Sequence, residues 1–163
     1  PKVWERFSGQ VPPEHRQNPA PFYYEKLLHG TPEEQSHFAY EWAWYEEKLL
    51  FLQEKSDKEV AEALAGVNFV SWARIEAHYC LEYLFMPEGY IMNNVHRLPL
   101  VPTSIIHGQY DVLCFPESAW RLHQVLPGSK LIFPMAGHYA TCPENQKALI
   151  QETNLIYDQV AKL

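Results

Sequence analysis

Two short loops in the last third of the sequence carry the residue types of an acid and a general base. His107-Gly108-Gln109-Tyr110-Asp111 follows an apolar, β-branched run, and Gly137-His138 follows the next such run. A carboxylate beside a histidine holds one imidazole tautomer and stabilises the cation that forms when the ring takes a proton from a nucleophile. Either loop by itself is equally typical of an ordinary turn. Together, in this order, they predict Asp111 as the acid and His138 as the base of a serine hydrolase.

The order serine, acid, histidine requires a nucleophile upstream of Asp111, and the sequence has no serine in the expected setting. Neither a Gly-x-Ser-x-Gly elbow nor a His-Gly-Gly oxyanion loop occurs. Without a serine and oxyanion donors, the acid and the histidine have nothing to activate. We therefore expect this chain to be inactive by itself.

Composition argues against several other classes of protein. The net charge of −7, with acidic residues scattered through the first half, argues against nucleic-acid binding. No apolar run approaches the roughly 20 residues that span a bilayer, so no membrane association is expected. Three cysteines without CxxC spacing (Cys80, Cys114 and Cys142) indicate neither a disulfide framework nor a zinc knuckle. No metal and no cofactor is expected, and a reducing cytoplasm is the expected location.

Helical signals dominate residues 1–97. Thr31-Pro32-Glu33-Glu34 has the pattern of a capping box, and the residues after it form an apolar stripe on one long helix (Phe38, Trp42, Tyr45, Leu49 and Leu52). A further helix is predicted after Asp57, and another that contains Trp72 to Leu84. The prolines of the first 22 residues predict loops and short turns there.

The pattern changes at Leu98 to that of an α/β segment covering residues 98–163. Strands are predicted within Val101–His107 and Lys130–Phe133, and helices over Glu117–Val125 and Pro143–Lys162. The first helix would bury Ala119, Leu122 and Val125, and the second Leu149, Ile156 and Val160. Loops at the carboxyl ends of parallel strands gather at one edge, so Asp111 and His138 should be neighbours. Two strands make a poor sheet, which predicts that this segment needs strands from elsewhere.

Several motifs resemble those of prolyl aminopeptidases, also called proline iminopeptidases, of the α/β-hydrolase superfamily. The C-terminal signature of that family is similar to Ser104–Cys114, Ser118–His123, Pro127 and Ala136–His138. Trp42–Glu46 resembles its Trp-x-x-Trp-Glu segment, and Arg74–Tyr79 its Ile-Glu-x-His-Tyr segment. The resemblance extends from Trp4 to the end. It implies an α/β fold, namely the C-terminal part of an α/β-hydrolase fold plus a helical cap. The serine would belong to a missing N-terminal half, a split that also suits a chain beginning at Pro1 without an initiator methionine.

The same resemblance implies a peptide substrate with an N-terminal proline. By motif position, Glu46 and Glu76 would bind the substrate's terminal imino group, and Tyr79 and Cys80 would lie at the proline pocket. A protonated nitrogen suits paired carboxylates. Glu47 is expected at the surface, and Cys114 either near the acid or as a small buried apolar residue.

The sequence also departs from the family in two places and leaves two other functions open. The family usually has arginine at the position of Gln109, so this chain is expected to lack a fixed charge beside Asp111. It often has an aromatic residue at the position of Cys80, and the smaller cysteine is expected to loosen the proline pocket or to admit a larger first residue. One alternative is an α/β-hydrolase acting on an ester, amide or epoxide. The other is a non-catalytic binding module derived from a hydrolase, which the missing serine favours.

Overall fold

The computed structural model describes residues 2–161, and these form two compact units. The first unit contains residues 2–48 and 55–88, and the second contains residues 49–54 and 89–161. Pro1, Lys162 and Leu163, which the predicted division into residues 1–97 and 98–163 included, lie outside the described residues. By internal contacts, residues 89–97 pack with the second unit. The predicted boundary between a helical cap region and an α/β segment at residue 97 stays a prediction.

The first unit is helical. The predicted capping box is confirmed: the Glu34 amide donates to Thr31 Oγ1 at 3.3 Å, and the Thr31 amide to Glu34 Oε2 at 2.9 Å. A second such box, between Ser56 and Glu59, begins the helix after the long one. The helices are α1 (Lys2–Gly9), α2 (Ala20–His29), α3 (Pro32–Leu49), α4 (Asp57–Leu64) and α5 (Phe69–Leu81), with 3-10 turns at Pro13–His15 and Tyr83–Phe85.

Aromatic rings form the core of this unit. The ring of Phe7 stacks on those of Tyr23 and Tyr45, each with 4.3 Å between centroids. The predicted stripe on α3 is confirmed for Phe38 and Trp42, which are buried. Its extension to Leu52 is wrong, because α3 ends at Leu49 and the Leu52 side chain is exposed.

The prediction of loops for the first 22 residues is wrong at both ends of that segment. Residues 2–9 contain no proline and form α1, whose Phe7 is buried. The later prolines occupy positions that helices tolerate, since Pro13 begins a 3-10 turn and Pro21 lies in the first turn of α2. Between α1 and α2, residues 10–19 form turns and one 3-10 turn, and there the prediction is confirmed.

The third predicted helix exists but is shorter at its C-terminal end. The side chain of Asn68 accepts the Ser71 amide at 3.1 Å and begins α5 at Phe69, so that the helix contains Trp72 as predicted. The helix ends at Leu81 instead of Leu84, because Tyr83, Leu84 and Phe85 all have positive φ.

The second unit has the predicted alternation of strands and helices. Two short strands, β1 (Ser104–Ile106) and β2 (Lys130–Ile132), pair in parallel with Ser104 opposite Lys130. No third strand occurs in residues 2–161. The helices are α6 (Tyr90–Asn94), α7 (Pro116–Val125) and α8 (Pro143–Val160), with a 3-10 turn at Val95–Arg97.

The apolar faces predicted for α7 and α8 are only partly correct. Ala119 of α7 is buried as predicted, whereas Val125 is exposed. In α8, Leu149 and Val160 are exposed, and the buried side chains are Asn145 and Glu152.

Polar contacts explain why Glu152 faces inward on α8. Its carboxylate accepts hydrogen bonds from Ser104 Oγ at 2.7 Å and from Lys130 Nζ at 2.6 Å. Ser104 and Lys130 are the first residues of the two strands. The helix therefore holds the starts of both strands through a charged group rather than an apolar stripe.

Candidate active site

The loops that follow β1 and β2 run side by side. Beyond the last strand residues, the His107 amide donates to the Ile132 carbonyl at 3.1 Å, and the Gln109 amide to the Pro134 carbonyl at 2.8 Å. The Tyr110 amide then donates to the Ala136 carbonyl at 3.0 Å. These bonds fix the acid-bearing loop against the histidine-bearing loop.

Gly108 allows this close approach. A Cβ atom at Gly108 would collide with the carbonyl oxygen of Gly137 and lie 2.7 Å from that of Ala136. Both neighbours are backbone atoms of the histidine loop, which cannot move aside as a flexible side chain could. Only glycine fits at this position without displacing the loop.

Asp111 and His138 are in direct contact, as predicted. His138 Nδ1 lies 2.9 Å from Asp111 Oδ2, and the Asp111 side chain is only 4% exposed. The other carboxylate oxygen, Oδ1, accepts the amides of Leu113 at 3.0 Å and Cys114 at 2.9 Å. With Nδ1–H donated to Asp111, the lone pair of a neutral His138 ring is on Nε2, where a general base needs it.

A second histidine, which the sequence analysis did not select, also contacts the acid. His107 Nε2 lies 3.2 Å from Asp111 Oδ2 and 2.7 Å from the carbonyl oxygen of Cys114. The only sequence signal for it is its place immediately before the predicted Gly-x-x-Asp turn. Oδ2 of the acid is thus shared by two imidazole rings.

Asn145 of α8 holds the histidine loop from the other side. Its Nδ2 donates to the carbonyl oxygens of Gly137 at 3.1 Å and Tyr139 at 3.0 Å. The Tyr139 amide donates to the Leu50 carbonyl at 3.0 Å, and the rings of Phe51 and Tyr139 meet edge to face. The short segment 49–54 therefore belongs structurally with His138, although the sequence places it far away.

Glu46 and Glu76 meet in the first unit, on α3 and α5. Trp42 Nε1 donates to Glu76 Oε2 at 2.9 Å. Burial, the neighbouring charge of Glu76 and a hydrogen bond between the two carboxyl groups raise the pKa of Glu46 to about 8. With that pKa, the Glu46 carboxyl group retains its proton near neutral pH unless a cation compensates the charge of the pair.

The remaining predicted residues differ in their surroundings. Tyr79 and Cys80 are exposed on α5, three and four positions after Glu76 and so close to it along the helix. The prediction of a surface position for Glu47 is wrong, since its side chain is 13% exposed and bonds Lys55 Nζ at 2.6 Å. Cys114 is exposed, so the alternative of a small buried residue is wrong, and its amide contacts Asp111.

A metal site and a membrane-spanning helix are two further features that can be looked for among the described residues. Within residues 2–161, no three or more His, Cys, Asp or Glu side chains are grouped so that they could hold a metal ion. None of the helices in that range is long and apolar enough to cross a membrane.

The parallel strands, the loops after them and the helical unit define the class of protein: the chain is the C-terminal portion of an α/β-hydrolase fold with a helical cap. A curated proline iminopeptidase of Xanthomonas citri is 32% identical over 94% of the chain, and a probable proline iminopeptidase of Leptolyngbya boryana is 36% identical over the same share. One from Neisseria gonorrhoeae is 31% identical over 93%. The chain belongs to the proline iminopeptidase family.

The similarity covers only part of those relatives. The chain spans 50%, 48% and 47% of the Xanthomonas, Leptolyngbya and Neisseria proteins respectively, about half the length of each. The matched part is their C-terminal half. No family model matches the chain.

Proposed function

We propose that this chain is part of a serine exopeptidase that releases N-terminal proline from peptides. The chain supplies the triad acid Asp111, the triad base His138 and the cap glutamates, Glu46 and Glu76. The nucleophilic serine comes from the N-terminal half of the hydrolase domain, because the sequence contains no Gly-x-Ser-x-Gly elbow. No cofactor is needed for this reaction.

The contact between His138 Nδ1 and Asp111 Oδ2 at 2.9 Å is the observation that supports this proposal most directly. A buried carboxylate is costly unless donors surround it. Asp111 has two backbone amides on Oδ1 and two imidazole nitrogens near Oδ2. Such a fixed, charged acid beside a histidine is the arrangement that acyl transfer by serine requires.

In the proposed reaction, His138 accepts and donates the protons, and Asp111 stabilises the positive charge that forms on the His138 ring. As the serine oxygen bonds to the carbonyl carbon of the terminal proline, His138 Nε2 accepts the hydroxyl proton. The imidazolium is stabilised by Asp111 and then donates that proton to the departing peptide nitrogen. Water next attacks the acyl-enzyme, His138 again accepts a proton, and its return to the serine oxygen releases proline.

Glu46 and Glu76 would recognise the free N-terminus. The secondary ammonium group of an N-terminal proline is a cation with two N–H donors, which matches two neighbouring carboxyl groups. Trp42 fixes one oxygen of Glu76, so that pair is already oriented. Tyr79 and Cys80 would lie beside the ring, and the small Cys80 side chain leaves room for a first residue larger than proline.

Hydrolysis of a proline anilide by the complete natural protein tests the proposal. We expect cleavage by the natural protein, none by the isolated 163-residue chain, loss of cleavage in the natural protein after His138→Ala, and much weaker cleavage at low substrate concentration after Glu76→Gln. If the folded natural protein does not cleave the anilide, the peptidase proposal is wrong.

The absence of a serine elbow from this sequence favours a second candidate, a non-catalytic binding module. It predicts that the natural protein binds an N-terminal proline peptide without cleaving it. A third candidate, an α/β-hydrolase with another substrate, predicts ester hydrolysis that survives replacement of both Glu46 and Glu76 by glutamine. The cytoplasmic location stays a prediction that cell fractionation would test.

A further inference from the structure

The backbone of His107 is held by the sheet, and its side chain contacts the acid Asp111. Its amide donates to the Ile132 carbonyl at 3.1 Å, which extends the pairing of β1 with β2 by one step. The side chain is largely covered, with 20% of its surface exposed. The imidazole therefore projects from a rigid part of the second unit, whereas Asp111 lies four residues further on in the following loop.

The neighbours of His107 determine which of its nitrogens carries hydrogen. A backbone carbonyl oxygen can only accept, so the 2.7 Å contact with Cys114 requires a hydrogen on Nε2. The same nitrogen lies 3.2 Å from Asp111 Oδ2. The imidazole that closes the loop 107–114 is therefore also in contact with the acid.

The two carboxylate oxygens of Asp111 have different contacts. Oδ1 is held by the amides of Leu113 and Cys114, which belong to the same loop as the acid. Oδ2 contacts the imidazoles of His138 and His107. Of these two rings, only His138 takes part in proton transfer in the proposed reaction. Without His107, Oδ2 would depend on His138 alone, the ring that the acid must orient.

We propose that His107 is a positioning residue, whose imidazole, through the contact of Nε2 with Oδ2, sets the orientation in which the Asp111 carboxylate receives Nδ1–H of His138. In catalysis this role rests on the proposed function, but the positioning itself does not. A carboxylate that turns away from His138 leaves the ring free to rotate or to change tautomer, and the base is lost. Misplacement of a catalytic group by about 1 Å costs on the order of 10²-fold in rate.

Two amide substitutions at His107 test the proposal in the complete natural protein. In His107→Gln, the side-chain nitrogen can reach the position of Nε2, whereas in His107→Asn it reaches only that of Nδ1. The two side chains have the same functional group, and thermal unfolding would confirm that both variants fold. His107→Met is a further non-donor variant, similar in length to glutamine.

The readouts are kcat and KM on a proline anilide and the low-field proton resonance of His138 Nδ1–H, assigned by its loss in His138→Gln. For the Asn and Met variants we expect kcat to fall about 10- to 100-fold, KM to change less than about 2-fold, and the resonance to shift or exchange with water. The Gln variant should keep the resonance and stay within about 3-fold of the natural kcat.

Other outcomes would overturn the positioning role. If the resonance is unchanged in the non-donor variants, His107 does not hold the acid, and a fall of kcat in the Asn and Met variants would then reflect the lost closure of the loop 107–114 alone. The resonance also distinguishes the positioning role of His107 from the proposed peptidase function. Should the natural protein lack peptidase activity, a resonance that shifts in Asn and Met but persists in Gln would still support positioning while the proposed function fails.

Discussion

His138 Nδ1 lies 2.9 Å from Asp111 Oδ2, and the opposite oxygen of that carboxylate accepts two backbone amides. This asymmetry predicts the result of Asp111→Asn. The amide oxygen must stay with the two N–H donors, so its NH₂ group turns toward His138 and requires a lone pair on Nδ1. The hydrogen then moves to Nε2, and the ring can no longer act as a base.

For Asp111→Asn in the complete natural protein, we expect kcat on a proline anilide to fall by about 10⁴-fold with little change in KM. Asp158→Asn is a matched control, since Asp158 is an exposed acid of α8. Steady-state kinetics at several pH values would measure both. A loss of less than about 10-fold in Asp111→Asn would contradict the assignment of the acid.

The carboxyl pair on α3 and α5 predicts a different kinetic signature. Replacing Glu76 by glutamine removes one negative charge beside Glu46 while leaving one oxygen that can accept the Trp42 N–H. Charge-assisted hydrogen bonds contribute about 1.5–3 kcal/mol, so KM for a proline anilide should rise roughly 10- to 100-fold. Glu62→Gln, an exposed substitution in the same unit, should leave KM unchanged. An unchanged KM in Glu76→Gln would argue against a role in N-terminal recognition.

The raised pKa of Glu46 predicts a pH dependence of stability. In the unfolded chain the pKa of a glutamate is about 4.5, whereas burial and Glu76 raise the pKa of Glu46 to about 8 in the folded state. Between these values the folded state binds more protons than the unfolded state, so the free energy of unfolding falls as pH rises. The contribution is fully present below pH 4.5 and is lost by the time the pH passes 8.

Urea unfolding of the complete natural protein from pH 4.5 to pH 8.5 would measure this contribution. Glutamine at position 46 does not titrate, so the free energy of unfolding of Glu46→Gln should fall less steeply over that range. The difference between the two curves isolates the contribution of Glu46 from those of the groups that both proteins share. Parallel curves would show that Glu46 is ionised in the folded state across this range.

Sequence reasoning found those contacts of the site that follow directly from the order of strands and loops along the chain. Asp111 and His138 each follow a strand closely, and parallel strands bring their carboxyl ends together, so their contact could be predicted without knowing any side-chain position. The capping box before α3 was equally local, because a threonine and a glutamate three residues later satisfy each other's backbone amides.

The remaining features depend on contacts between distant residues. Asn145 supports the histidine loop from α8, and Leu50 supports it from a segment more than 80 residues earlier. Neither has a local pattern that distinguishes it from any other polar or apolar residue. The inward side of α8 was mispredicted for a related reason: hydrophobic spacing assumes an apolar interface, while Glu152 is buried by its bonds to Ser104 and Lys130.

Gly108 provides a structural test that does not depend on the identity of the substrate. In Gly108→Ala, the new methyl group would collide with the Gly137 carbonyl and force the two loops apart, which separates Asp111 from His138. Overpacking against fixed backbone costs about 1–3 kcal/mol, so we expect a lower midpoint of thermal unfolding together with loss of the His138 Nδ1–H resonance. Gly9→Ala is the control, because a Cβ there meets no atom within 4 Å, and it should change stability by less than about 1 kcal/mol. If Gly108→Ala retained both the resonance and the unfolding midpoint of the natural protein, the close packing of the two loops could not be what holds the acid against the histidine.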